Sequence, residues 1–102
     1  MVTHDEQEQS QPSEIRKALR LHGRVQGVGF RWWTRKQASR LGVRGSVRNR
    51  PDGSVDAVLV GPGESVARME RLLREGPRGA RVDRVVELSP PEGDYDGFQI
   101  VR

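Results

Sequence analysis

The sequence predicts one α+β domain, built from two amphipathic helices and four strands in the order β-α-β-β-α-β, with a short extra strand near the C-terminus. Three observations carry this. At 102 residues the chain has room for a single modest core and no second one. Apolar residues alternate at period two in four stretches and recur at helical spacing in two others. Glycine, proline and aspartate gather between those stretches, where the chain must turn.

The first 14 residues, MVTHDEQEQSQPSE, are polar and rich in Gln, Glu and Ser, too poor in apolar surface to offset the entropy of ordering. They are expected to form a disordered acidic tail, with residues 15–102 as the domain. From Lys17, Leu19, Leu21, Gly23 and Val25 alternate with Arg20, His22 and Arg24, the pattern of a half-buried strand. Gly23 to Gly29 are expected to form the loop that follows it. Phe30, Trp33, Thr34, Gln37, Ala38 and Leu41 then share one face of a helix that Gly42 ends, with Trp33 in the core and Trp32 exposed. VRGSVRN, from Val43 to Asn49, reads as a second strand, RPDG as a turn and SVDAVLV as the third strand of a hairpin. GPGES opens a second helix with Val66, Met69, Leu72 and Leu73 as its apolar stripe, and Gly76-Pro77 closes it. RVDRVVEL is a fourth strand, with Val82, Val86 and Leu88 expected inward. PPEGDYDG is loop and FQIV the short last strand. Such an order is solved by one antiparallel sheet with both helices on one face, the ferredoxin-like sandwich.

Charge narrows the partners. The chain has 18 cations and 14 acids; four of the acids, Asp5, Glu6, Glu8 and Glu14, lie in the tail, so the domain holds 18 against 10, a net +8. Such a balance suits anionic partners, whether nucleic acid, phosphorylated metabolites or membrane surfaces. The absence of cysteine excludes disulfide and thiolate chemistry. No apolar run reaches the roughly 20 residues of a membrane span, and no secretory signal profile opens the chain, so a cytoplasmic, membrane-free protein is expected.

The chemistry concentrates in GRVQGVGFR, Gly23 to Arg31. A loop feeding a helix N-terminus presents N–H groups without intrahelical partners, together with the positive end of the helix dipole. Gly27 and Gly29 let successive N–H groups turn inward as a concave nest, and Arg31 adds a planar fork of donors that matches phosphate oxygens. The stretch lacks the Gly-Lys-Ser/Thr ending of a Walker loop, and it lacks the third glycine and downstream acid of a dinucleotide fingerprint.

VQGVGFR at Val25 to Arg31, then GSVRN ending at Asn49 eighteen residues after the arginine, a PDGSV turn and GPG at Gly61 to Gly63 together resemble the acylphosphatase family. The resemblance implies the ferredoxin-like fold and hydrolysis of the carboxyl–phosphate bond of acyl phosphates. It implies that Arg31 binds the phosphoryl group, that the N–H groups of Gln26, Gly27, Val28, Gly29 and Phe30 surround it, and that Asn49 positions the attacking water. One position departs from the pattern: the family often carries a large aromatic where this chain has Ser46. By strand parity Ser46 points away from Asn49, so the change is expected in surface packing.

Acyl phosphates are activated anhydrides, and their hydrolysis asks mainly for positioning and stabilisation of phosphoryl charge. No Cys, His or Asp nucleophile lies in the loop, so direct attack by water is expected, with its proton passing to the substrate's own phosphate oxygens or to an exposed group such as Asp52. No metal or other cofactor is expected, because the two histidines are His4 in the tail and His22 on an outward strand position. Inorganic phosphate or sulfate is expected to bind the same site, and a monomer is expected. The alternative is a module that binds RNA or another polyanion through Arg20, His22, Arg24, Arg44 and Arg48 on the open sheet face, although strands one and four place no aromatic there for base stacking.

Overall fold

The computed structural model describes residues 13–102. Strands β1 (Glu14–Arg24), β2 (Arg44–Asn49), β3 (Val55–Pro62), β4 (Arg81–Leu88) and β5 (Phe98–Val101) form one sheet in the order β4-β1-β3-β2-β5, with helices α1 (Phe30–Leu41) and α2 (Gly63–Glu75). Both helices cover the same face. Leu19, Leu21, Val47, Val55, Ala57 and Leu59 of the sheet bury against Phe30 and Ala38 of α1 and Val66, Met69 and Leu73 of α2. Trp33 is half-buried against this core, its ring 5.7 Å from that of Phe30, while Trp32 is exposed. Among the described residues no helix is long and apolar enough to cross a membrane.

The tail reading of residues 1–14 falls outside the described residues except for Ser13 and Glu14. Glu14 already belongs to β1: it lies opposite Pro62 of β3, and its carboxylate accepts two hydrogen bonds from the Arg44 guanidinium at 2.8 and 2.9 Å.

Three features differ from the expected pattern. The sheet is mixed, because β5 runs parallel to β2 while the other neighbours are antiparallel. The segment between β4 and β5 lays Tyr95 against Ala18, Val58, Val60 and Leu88 on the helix-free face, between the two edge strands it joins. Next, β1 continues through Gly23 and Arg24, which therefore belong to the strand and not to the loop. Finally, the pairing of β1 with β4 shifts between His22 and Gly23, so that Val82 and Val85 reach the helix-covered core while Leu88 packs on the opposite face. By pairing with Arg20, Val86 also belongs to that opposite face, so of the three residues expected inward only Val82 is. The shift is a bulge, and a bulge reverses strand parity beyond it. Gly23 makes it possible: a Cβ there would lie 2.1 Å from the Arg81 carbonyl oxygen.

Candidate active site

Past Arg24, buried Val25 anchors the chain and the following residues turn toward α1. The Gln26 side-chain amide donates to the carbonyls of Arg50, 2.8 Å, and Ser54, 2.9 Å, tying the loop to the β2–β3 turn. Gly27 and Gly29 both have left-handed backbones, with φ of 76° and 74°. Gly29 is the residue before the first helical turn, and no side chain caps that turn. The Trp33 N–H donates to Gly29 O at 3.0 Å; among the described residues no backbone carbonyl accepts from the N–H of any residue from Gln26 to Trp32. The first turn of α1 also lacks an acidic residue, so the positive end of the helix dipole is left uncompensated by the chain.

These groups open into a cavity of about 330 Å³ lined by Val25, Gln26, Gly27, Gly29, Phe30, Arg31, Trp32, Asn49, Ile100 and Arg102. The structure thus brings together six of the seven residues singled out by the motif. Val28 is the exception: its side chain packs against the core, leaving its backbone alone available to the loop. Arg31 makes no ion pair among the described residues, unlike Arg20, Arg44, Arg74 and Arg81, each of which pairs with a carboxylate. Asn49 is the last residue of β2, and its Oδ1 is buried with no hydrogen-bond partner. A buried acceptor without a donor is costly unless something that donates is brought to it.

Asp52 is not part of this cavity. Its carboxylate accepts from the Ser54 hydroxyl and, at 3.0 Å, from the Ser54 N–H, and these hydrogen bonds, the hydroxyl first, hold its pKa below the ordinary carboxylate value. That makes it a poor proton acceptor for an attacking water. Ser46 lines a different cavity, of about 400 Å³, on the helix-free face together with Val58, Leu88 and Tyr95. The replacement of the usual aromatic therefore lies across the sheet from Asn49. Of the five basic residues read onto that face, two are engaged: Arg20 holds Asp56 with two hydrogen bonds of 2.8 and 3.1 Å, and Arg44 holds Glu14.

Ile100 and Arg102 were not anticipated as neighbours of the site. They arrive through the parallel pairing of β5 with β2, in which Val47 lies opposite Ile100 and Arg48 opposite Val101. An alternating FQIVR segment predicts a strand but not which edge it joins or in which direction.

A ferredoxin-like sandwich with an uncapped helix end, a free guanidinium and an orphaned amide around one cavity defines a small domain equipped for a compact anion. The model of the family described as Acylphosphatase matches residues 17–100, and the chain belongs to the acylphosphatase family. It is 54% identical over 81 residues to an acylphosphatase of Thiobacillus denitrificans, covering 79% of this chain and 90% of that relative. It is 50% identical over 88 residues to an acylphosphatase of Thermococcus kodakarensis, covering 85% of this chain and 96% of that one. The solved structure of an acylphosphatase from Coxiella burnetii superposes with a TM-score of 0.80 at 34% identity, covering 86% of this chain and 93% of that one.

Proposed function

We propose that Arg31, Asn49 and the N–H groups of Gln26, Gly27, Val28, Gly29 and Phe30 carry the hydrolysis of acyl phosphates. Family membership makes the chain an acylphosphatase, a hydrolase of that substrate class; the residue roles are our reading of the site. The dianionic phosphoryl group sits on the open amides at the head of α1, and Arg31 grips two of its oxygens. The Asn49 amide accepts a hydrogen bond from a water and aims its oxygen at phosphorus. As the new P–O bond forms, the bond between phosphorus and the acyl oxygen breaks. The carboxylate leaves with the electron pair, and both protons of the water remain on inorganic phosphate. A carboxylate is a good enough leaving group that protonation by the protein is not required, and the positioned charges lower the barrier by stabilising phosphoryl oxygens.

The observation that carries this reading is the buried, partnerless Oδ1 of Asn49 in the same cavity as the uncapped helix end. We further read the protein as a monomeric cytoplasmic enzyme that inorganic phosphate or sulfate inhibits by competing for the same amides. Support comes from open amides that free phosphate or sulfate would also meet and from a sequence without cysteine.

Hydrolysis of benzoyl phosphate by wild type, Arg31→Ala and Asn49→Ala tests the assignment. Loss of Arg31 is expected to raise KM and to lower kcat/KM by about 10³-fold, while loss of Asn49 lowers kcat by about 10²- to 10³-fold with little change in KM. In ¹⁸O-water the label is expected in phosphate. Comparable rates for all three proteins would remove the residue roles, and label in benzoate would remove attack at phosphorus.

A further inference from the structure

The residues assigned so far account for the phosphoryl half of an acyl phosphate and leave part of the cavity wall unused: Trp32, Ile100 and Arg102. Trp32 is 59% exposed and Arg102 is also exposed, so these side chains stand toward solvent. Resting on the reading above, we propose that they form the subsite for the acyl arm, and that Arg102 selects arms carrying a second carboxylate.

The geometry of β5 supplies the first argument. Its parallel register pairs Val47 with Ile100 and Arg48 with Val101, and Arg102, the residue after β5, lines the same cavity as Asn49. Phe98 and Ile100 pack against the helix-covered core, and strand alternation puts Arg102 on that same side, with Asn49 and the head of α1. Had β5 paired antiparallel, its last residue would have stood at the other end of β2.

Charge supplies the second. The open amides and Arg31 already meet the phosphoryl dianion, yet Arg102, like Arg31, makes no ion pair among the described residues. A neutral acyl arm would leave that guanidinium to water, whereas a carboxylate offers the planar, two-oxygen partner that arginine binds bidentately. Between the two charged ends, the Trp32 ring and Ile100 provide an apolar surface for the carbon skeleton of the arm. The substrate class that fits is the monoacyl phosphate of a dicarboxylic acid.

Two matched pairs of probes test this. Benzoyl phosphate and 4-carboxybenzoyl phosphate report turnover; benzoylphosphonate and 4-carboxybenzoylphosphonate, which lack the scissile oxygen, report binding by calorimetry. The informative quantity is the preference for the carboxylated member. In Arg102→Gln that preference is expected to fall about tenfold in both kcat/KM and Kd, with Arg102→Lys restoring part of it. Raising ionic strength from 0.1 to 1 M shortens the screening length from about 10 to about 3 Å, so it should erode the wild-type preference and leave that of Arg102→Gln unmoved. An unchanged preference in Arg102→Gln overturns the proposal. So does an equal loss for both members of a pair, which would place Arg102 on the phosphoryl group or in the fold. Failure of the phosphoryl assignment would show separately, as benzoylphosphonate binding that survives Arg31→Ala.

Discussion

The two strand-to-helix junctions of this fold are made by the same kind of unit and finished in opposite ways. Where β1 meets α1, glycines hold the chain in the left-handed region, the first turn contains no acid, and the N–H groups from Gln26 to Trp32 find no backbone acceptor among the described residues. Where β3 meets α2, Pro62 precedes the helix, Glu64 stands in the first turn against the dipole, and the Gly63 N–H donates to Ser13 O at 3.2 Å. The second junction meets part of its helix end from within the chain, through Glu64 and the Ser13 carbonyl. The first leaves the same requirement open, and that opening is the candidate site. No side chain caps either helix; the difference is the first-turn acid, which contributes about 0.3–1 kcal/mol against the dipole, so the molecule forgoes at one junction stability that it keeps at the other.

The comparison breaks most sharply if the first junction is given the acid of the second. Arg31→Glu removes the guanidinium and puts a carboxylate in the first turn of α1. We expect kcat/KM for benzoyl phosphate to fall by more than 10³-fold, about 4 kcal/mol or more of transition-state stabilisation. The folded protein should not suffer, since an acid in the first turn contributes about 0.3–1 kcal/mol against the dipole. Thermal unfolding followed by circular dichroism should therefore show an unchanged or slightly higher Tm beside the lost activity. Activity within tenfold of wild type would mean that the open junction is not where the phosphoryl group sits.

A smaller effect separates what shapes the first junction from what fills it. Gly23 lies where β1 passes the β4 bulge, with a φ of 133° and no room for a Cβ, which would sit 2.1 Å from Arg81 O and 2.9 Å from Asp83 N. Gly29 has a φ of 74° and open space around its missing Cβ. Gly23→Ala must move backbone and should cost about 3–4 kcal/mol, whereas Gly29→Ala meets only the conformational penalty of about 1–2 kcal/mol. At roughly 4–8 °C per kcal/mol the two melting temperatures should be well resolved. The reverse order would show that the bulge yields and that the left-handed turn is the more rigid of the two.

Gly23 also marks the boundary of what the sequence discloses. The helical stripes, the alternation in β1 to β3 and the turn at Arg50 to Gly53 are local patterns, and each became the expected element. The bulge is not local. It sets two residues of β4 against one of β1, and nothing in RVDRVVEL distinguishes the parity of Val82 from that of Val86. In the site, Arg31 and Asn49 were legible because a glycine loop and a distant asparagine share a recognisable spacing. Ile100 and Arg102 were not, because their place depends on the direction in which β5 joins β2. The Gln26 side-chain contacts were hidden for a related reason, since they depend on a turn 24 and 28 residues away.

The last test sharpens the comparison from the closed half of the molecule, where α2 is tied to β1 by charge. Lys17 Nζ donates to Glu70 Oε1 at 2.7 Å, and Arg74 contacts Glu70 Oε2 at 2.9 Å. The Lys17 hydrogen bond, more than Arg74, holds the Glu70 carboxyl below its ordinary 4.5, while Glu70 raises the Lys17 ammonium above its ordinary 10.5. A lowered carboxyl pKa stabilises the fold above the unfolded value and ceases to do so as pH falls through the folded one. A raised ammonium pKa does so below its unfolded value. The tie therefore operates from about pH 4.5 to 10.5 and is lost on the acid side when Glu70 protonates. Glu70→Gln should lower stability at pH 7 by about 1 kcal/mol, a Tm shift of about 4–8 °C, and the difference from wild type should shrink as pH falls below 4.5 and Glu70 protonates in the folded protein. Because Lys17, Glu70 and Arg74 line no part of the candidate cavity, benzoyl phosphate hydrolysis at pH 7 should be untouched. A stability difference that does not shrink as pH falls below 4.5 would show that Glu70 acts through its packing and that charge has no part in holding this half together.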